Sequence, residues 1–338
     1  MASIKQLGER NDNISSIISF VRRSGAVTRM ELCREISLSW ACVSDLVSVL
    51  IEEGILIELE REPVKTNPSV RGKNPSYLSL NERKYFLGVD INDSGIAVST
   101  ISITGTKIRS KKWNEEIFRD ENDLTLSVCE KITEMLGKRE DCCGIGVAME
   151  GARSTEGGFM YPMADGCHSI HPDIFLKERF SLPVFVRHDP ECILYSVAGD
   201  CLGDCISVRV DKWIGVAAMK NRKILDFPFE LSDIRYGSRK LKTILRECVS
   251  NGDYREIAEA LGRSVGNLSV LLGIKRFVLA GEIAEWIKGV NEIFDAAFYE
   301  VSTSLSYEIC SVSDASDGAA RLAMAEFSIS RKGKTIHE

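Results

Sequence analysis

Trp40, Ala41, Ser44, Asp45 and Ser48 recur at the spacing of one helix face, and their chemistry suits a nucleic-acid groove. Ser44 and Ser48 can donate or accept hydrogen bonds to bases or phosphates. Asp45 could accept from cytosine N4, Trp40 could pack on sugars or thymine methyls, and the small Ala41 lets backbone approach base edges. A basic ribbon follows, with Arg61, Lys65, Arg71, Gly72 and Lys73 among Pro63, Pro68 and Pro75. That composition suits phosphate or minor-groove contact. A second group is His188-Asp189, a pair able to hydrogen-bond a small ligand, with Glu150-Gly151 at the end of an apolar run. A third is Cys167, His168 and His171. Its C-H-x-x-H spacing matches no zinc pattern, so a polar loop facing the cleft is the plainer reading. Lys212 and Arg187 are candidate anchors for an anionic effector.

The elements that must position the first group are legible in order. Ile14, Ile17, Ile18 and Val21 form one apolar helix face, and Gly25 stops that helix. Thr28 with Glu31 makes a capping box for a short helix burying Leu32, Cys33 and Ile36. Ser37-Leu38-Ser39 is a turn, and Ser39 caps a third helix that buries Val43, Leu46, Val47, Leu50 and Ile51 and ends at Gly54. Two strands, Ile55 to Ile57 and Tyr77 to Leu80, flank the ribbon. This is the grammar of a winged helix-turn-helix, which places the N-terminal part of its last helix in the major groove. Arg29, Ser39, Trp40, Ala41, Ser44, Asp45, Ser48, Arg71 and Lys73 are therefore the candidate DNA contacts. Residues 1–80 hold ten basic and ten acidic side chains, so the attraction to phosphate must come mainly from the ribbon.

The rest alternates strand and helix. Strands are expected over residues 85–108 with a turn at Asn92 to Gly95, over 143–149, 183–186, 205–210 and 213–219, and over 276–279. Helices are expected over residues 121–138, 191–199, 238–249 and 253–272, and largely over 283–305. This order implies an α/β body with mixed sheets.

At 338 residues the chain can hold two or three domains, and its net charge of −6 excludes a generally nucleic-acid-coated surface. The eleven cysteines are scattered without C-x-x-C spacing, which points to reduced thiols and no metal site. The polar start and the lack of any long apolar run predict a cytoplasmic protein with no signal peptide and no membrane span.

Several stretches together resemble the ROK family of repressors, open reading frames and sugar kinases. TRMELCREISLSWACVSDLVSVLIEEGIL looks like its DNA-reading segment, and RGKNPSYLSLNERKYFLGVDI like its junction. GIGVAMEG, VFVRHDPEC, NLSVLLGIKRFVLAGEI and DGAARLAMAEF look like its core strand, its catalytic-aspartate segment, its second-lobe turn and its closing helix. The resemblance implies a winged helix-turn-helix joined to a two-lobed, actin-like (sugar kinase/ribonuclease H-like) body. It implies residues 1–82 as reader, 83–200 as first lobe completed by 317–332, and 201–316 as second lobe. It also matches Asp189 to a general base for a sugar hydroxyl.

The departures bear on activity. The family's D-x-G-G-T phosphate loop is replaced by Asp90-Ile91-Asn92-Asp93-Ser94, which lacks the glycines and adds a carboxylate. The second phosphate loop keeps only Gly215, beside bulky Trp213. The E-x-G-H sugar clamp and the cysteine-rich zinc motif are missing, with DFPFELSDIRY in their place, where Glu230 or Asp233 could stand in for a sugar carboxylate. The expectation is a non-enzymatic transcriptional regulator without cofactor or metal. Most simply it is a repressor of carbohydrate-related genes, acting on a pseudo-palindromic double-stranded DNA operator as a homodimer or tetramer. His188, Asp189, Glu150 and Gly151 are its candidate ligand contacts, for a sugar or sugar-phosphate effector. The alternatives are a body that binds a partner protein and, further off, an ATP-dependent sugar kinase.

Overall fold

The computed structural model describes residues 4–327, except 60–75, 115–116, 152, 155–156, 199–202, 222, 226, 228–229 and 311–314. The N-terminal module runs α1 (Ile4–Ser24), β1 (Val27–Thr28), α2 (Arg29–Glu35), α3 (Trp40–Glu52), β2 (Leu56–Leu59) and β3 (Tyr77–Leu80). The three strands form one antiparallel sheet in the order β1-β3-β2. The expected capping box is present: Glu31 N donates to Thr28 Oγ1 at 3.2 Å, and Thr28 N donates to Glu31 Oε2 at 2.7 Å. Ser39 caps α3, accepting from Cys42 N at 3.3 Å. Ile14, Ile17, Ile18, Val21, Leu32, Val43, Leu46, Val47 and Leu50 are buried as their periodicity demands.

The body begins with β4 (Tyr85–Asn92), β5 (Gly95–Ser102), β6 (Lys107–Asn114), α4 (Glu121–Met135), β7 (Cys142–Met149), β8 (Phe159–Met163), β9 (Gly166–Ile170), α5 (Pro172–Phe180), β10 (Val184–His188) and α6 (Asp189–Ala198). It continues with β11 (Cys205–Val210), β12 (Ile214–Lys220), β13 (Lys223–Leu225), β14 (Arg235–Tyr236), β15 (Arg239–Lys240), α7 (Leu241–Asn251), α8 (Arg255–Leu272), β16 (Arg276–Ala280), α9 (Ile283–Trp286), α10 (Asn291–Val301), β17 (Ser306–Ile309) and α11 (Ser316–Glu326). One five-stranded sheet is ordered β10-β7-β4-β5-β6, parallel through β4 and antiparallel beyond it. The other is ordered β13-β12-β11-β16-β17 and is mixed in the same sense.

Several elements depart from the sequence expectation, among them the third strand β6 and the short strands β13, β14 and β15. The stretch holding Cys167 and His168 is a hairpin strand, β9 on β8, rather than a loop. Helix α5 follows it, and β17 adds an edge strand after α10.

Helix α11 lies directly on the first sheet because two strand positions carry no side chain. A Cβ on Gly88 would stand 2.0 Å from the Ser316 carbonyl oxygen, and one on Gly146 would stand 1.8 Å from that of Ala319. The same helix joins the N-terminal module to the body. A single apolar cluster contains Ile14, Leu32, Val43 and Leu50 of the module together with Phe86, Ile101, Ile103, Ala320 and Ala323. Arg22 Nε on α1 donates to Ile103 O at 2.8 Å across the joint. Among the described residues, no helix is long and apolar enough to cross a membrane.

Candidate functional site

Helix α3 keeps its polar face outward because the opposite face fills the module's core. Trp40 is 54% exposed, Ala41, Asp45 and Ser48 are exposed, and Ser44 is half-buried. Ser48 Oγ donates to the Ser44 carbonyl at 2.8 Å, which leaves its lone pairs outward. Ser39 sits at the N-terminal end of this face. Arg29 does not stand free beside it: its Nη2 lies 2.6 Å from Glu58 Oε1, an ion pair that braces α2 against β2. Arg71 and Lys73 lie outside the described residues, as do Arg61, Lys65, Gly72 and the three prolines of the ribbon.

The second candidate site is a cavity of about 340 Å³ between the two sheets of the body. It gathers all four expected ligand residues, His188, Asp189, Glu150 and Gly151, from the ends of β7 and β10 and the start of α6. Convergence at the C-terminal edge of parallel strands is where open α/β sheets place ligands. Cys167 of β9 also lines it. His168 turns to Asp165 instead, Nε2 to Oδ1 at 2.8 Å, and His171 Nε2 lies 3.4 Å from Ser169 Oγ, so the C-H-x-x-H residues do not converge. No cluster among the described residues is arranged to hold a metal ion.

The centre of the cleft is occupied by a residue that sequence reading did not single out. Arg209 projects from β11 with its side chain only 6% exposed. Its Nη1 lies 3.2 Å from Asp189 Oδ2 and 3.4 Å from Asp90 Oδ2, and its Nε donates to Asp211 Oδ2 at 2.5 Å. Asp90 is held further by Asn92 Nδ2 at 3.0 Å and Ala315 N at 2.9 Å. The available signal was a lone charge in the largely apolar strand CISVRV, since a buried charge must be paired.

A second cation closes the same gap. Lys212 Nζ, in the β11–β12 turn, lies 2.6 Å from Asp93 Oδ2 in the β4–β5 turn. That turn is tied internally, with Asn92 Oδ1 accepting from Ser94 N at 2.9 Å and Ser94 Oγ at 2.6 Å. Arg187 Nε lies 3.6 Å from Glu191 Oε2, and its Nη2 lies 3.7 Å from Glu326 Oε1. Neither cation expected to anchor an anionic effector is therefore unengaged. Asp233, a candidate replacement for the sugar carboxylate, pairs with Lys240 and Lys242 at 2.9 and 2.8 Å. Glu230 lines the cavity.

The electrostatics follow from one guanidinium facing several buried carboxylates. Burial raises Asp189 to about 8, against the opposing pull of Arg209 and with the help of Asp90 and Asp211. Burial also raises Glu150 to about 8, aided by Asp93 and Asp189. Burial penalises the charge of Arg209, yet Asp90, Asp189 and Asp211 together hold it firmly protonated. His188 is pushed down by burial, so its ring is neutral near pH 7; it stacks on Phe159 at 6.3 Å. The cavity is lined by groups that can hydrogen-bond a small polar ligand.

No family model and no curated protein matches this chain in sequence. Solved structures do match it in fold. One is a ROK family transcriptional regulator, a homologue of the E. coli MLC protein, with a TM-score of 0.74 at 14% identity. The match covers 93% of this chain and 96% of that one. A ROK family glucokinase from Streptomyces griseus, solved with glucose and AMPPNP, gives 0.54 at 16% identity over 70% of this chain and 98% of its own. An inorganic polyphosphate/ATP-glucomannokinase from Arthrobacter sp. strain KM gives 0.56 at 17% identity over 72% and 98%. The fold is thus a winged helix-turn-helix module followed by a sugar-kinase-like body.

Proposed function

We propose that this chain is a ROK-type transcriptional regulator: a DNA reader on a sugar-kinase-like body that senses a ligand and does not phosphorylate it. The observation that carries the second half is Arg209, whose guanidinium engages Asp189, the carboxylate that the family resemblance matches to the catalytic base. A general base must be free to accept a substrate proton. Here its lone pairs face a buried cation, and the two turns matching the phosphate loops are bridged to each other by Asp93 and Lys212. The first half rests on the exposed face of α3 and on the cap geometry that sets it.

In this reading residues 1–82 form the reader, residues 83–200 with 317–332 the first lobe, and residues 201–316 the second. Arg29 positions the reader through Glu58, while Ser39, Trp40, Ala41, Ser44, Asp45 and Ser48 meet the groove, and Arg71 and Lys73 meet phosphates. The protein acts in the cytoplasm as a homodimer, presenting two readers to a pseudo-palindromic operator of carbohydrate-related genes and repressing them. An effector alters operator affinity by preferring one arrangement of the body. The joint through Phe86, Ile103 and α11 supports such transmission, because reader and body share one packed core.

Selection of bound sequences from random duplexes tests the reader: a recurrent two-fold motif is expected, and no enrichment at low salt would refute it. ATP-dependent phosphorylation of any sugar by the purified chain would refute the non-catalytic body.

A further inference from the structure

The cavity between the sheets has an asymmetric charge that selects among ligand classes. Two cations line it, Arg209 and Lys242, and Lys212 stands at its edge; each is already held. Arg209 lies among three aspartates. Lys212 is held by Asp93, and Lys242 Nζ lies 2.8 Å from Asp233 Oδ1. Two carboxylates are left over, one from each side of the cleft. Glu150 follows β7, and Glu230 precedes the short helical turn Leu231–Asp233. Both line the cavity, and among the described residues neither has an ion-pair partner. Glu150 Oε2 accepts a single hydrogen bond, from Asp93 N at 2.7 Å.

Glu150 and Glu230 are half-buried, and a carboxylate withdrawn from water without a cation is costly; the cost falls when a cation or a proton arrives. Glu150 already resists ionisation, raised to about 8 by its burial and by Asp93 and Asp189. An ammonium group can replace that proton and add charge-assisted hydrogen bonds. An added anion would instead face Asp93, Glu150 and Glu230, with the lining cations Arg209 and Lys242 already engaged.

We propose that the cavity binds a small polyhydroxylated amine in its protonated form, with the ammonium held by Glu150 and Glu230. Its hydroxyls meet the His188 ring and the Asp189 carboxyl, which line the same wall. A volume of about 340 Å³ suits a ligand of monosaccharide size. This inference rests on reading the body as a ligand sensor, and it narrows the effector to amines while excluding phosphate esters.

Isothermal titration of the full chain at pH 7 tests it with glucamine and glucosamine, their neutral counterparts sorbitol and glucose, and glucose 6-phosphate. The amines should bind about tenfold or more tightly than their neutral counterparts, the worth of one charge-assisted hydrogen bond, and glucose 6-phosphate should give no heat. The Glu150→Gln/Glu230→Gln double variant should lose the preference for amines, with its circular dichroism spectrum confirming that it is folded. Glucose 6-phosphate binding as well as the amines would overturn the proposal, as would a preference that survives in the double variant. Silence from all five probes would overturn it too. Duplex selection on the same preparation then separates the two readings: an enriched operator leaves the regulator standing and removes only the amine site.

Discussion

Arg209 Nη1 on β11 lies 3.2 Å from Asp189 Oδ2 at the first turn of α6. The pair joins the second sheet to the helix that follows the first, and Asp90 on β4 shares the same guanidinium at 3.4 Å. One residue thereby ties the two sides of the cleft together. Lys212 and Asp93 repeat the connection nearer the surface.

Replacing Arg209 with methionine keeps much of the volume and removes the charge. Asp90, Asp189 and Asp211 would then face one another in a buried site. Loss of one partner from a buried ion pair costs roughly 3–5 kcal/mol, because the remaining charge is uncompensated. Urea unfolding at pH 7 should show a loss of that size. A variant as stable as the parent at pH 7 would mean that Arg209 is not the counter-ion of the cleft.

The raised carboxyls set a pH dependence with a definite sign. Glu150 titrates at about 8 in the folded chain, against roughly 4 for an unfolded glutamate. Its contribution to stability is therefore complete below about 4 and is lost as pH rises through about 8. Asp189 behaves in the same sense. Subtracting the stability of Glu150→Gln, which cannot titrate, isolates the first group. The difference between parent and variant should be most favourable to the parent near pH 4 and should fall steadily towards pH 8. A flat difference would contradict the burial of this carboxyl.

Much of the reader was legible from local signals. Its caps are contiguous in sequence, and its apolar residues recur at 3.6-residue spacing, so neighbouring residues alone specify α2 and α3. The hairpin β8–β9 and strand β17 were not legible. FMYPM is a short apolar run broken by Pro162, GCHSI mixes apolar and polar residues without clean alternation, and SYEI follows a long helical stretch. The four expected ligand residues do converge on one cavity, because each ends a strand or begins the helix after one. The partners of Arg209 come from positions 90, 189 and 211, and only the completed two-sheet packing brings them together. Nothing in local spacing could have shown that Lys212 is consumed by Asp93.

Gly146 is the point where α11 touches the first sheet. A methyl group there would overlap the Ala319 carbonyl, a backbone atom within a helix that cannot rotate aside. Gly146→Ala should therefore push α11 outward and cost at least the 1–3 kcal/mol typical of core overpacking. The same helix contributes Ala320 and Ala323 to the core shared with the reader. Thermal unfolding should consequently fall in midpoint, and operator binding should weaken although position 146 lies far from α3 in sequence. An unchanged midpoint would show that the helix–sheet contact tolerates separation.

The division of labour within the reader gives the last prediction. Ser44 lies on the exposed side of α3 among the groove-facing candidates, whereas Arg71 belongs to the basic ribbon. A side chain that reads a base edge contributes about 1–3 kcal/mol of discrimination, and a phosphate contact contributes affinity without discrimination. Ser44→Ala should relax preference at one or two operator positions and leave the salt dependence unaltered. Arg71→Ala should weaken binding to every duplex alike and reduce the slope of log affinity against log salt by about 1. The module carries as many acidic as basic residues, so a single ribbon cation is a large share of its attraction to DNA. Competition binding on an operator library at two salt concentrations separates these outcomes. Equal loss of base preference in both variants would show that helix and ribbon do not divide reading from anchoring.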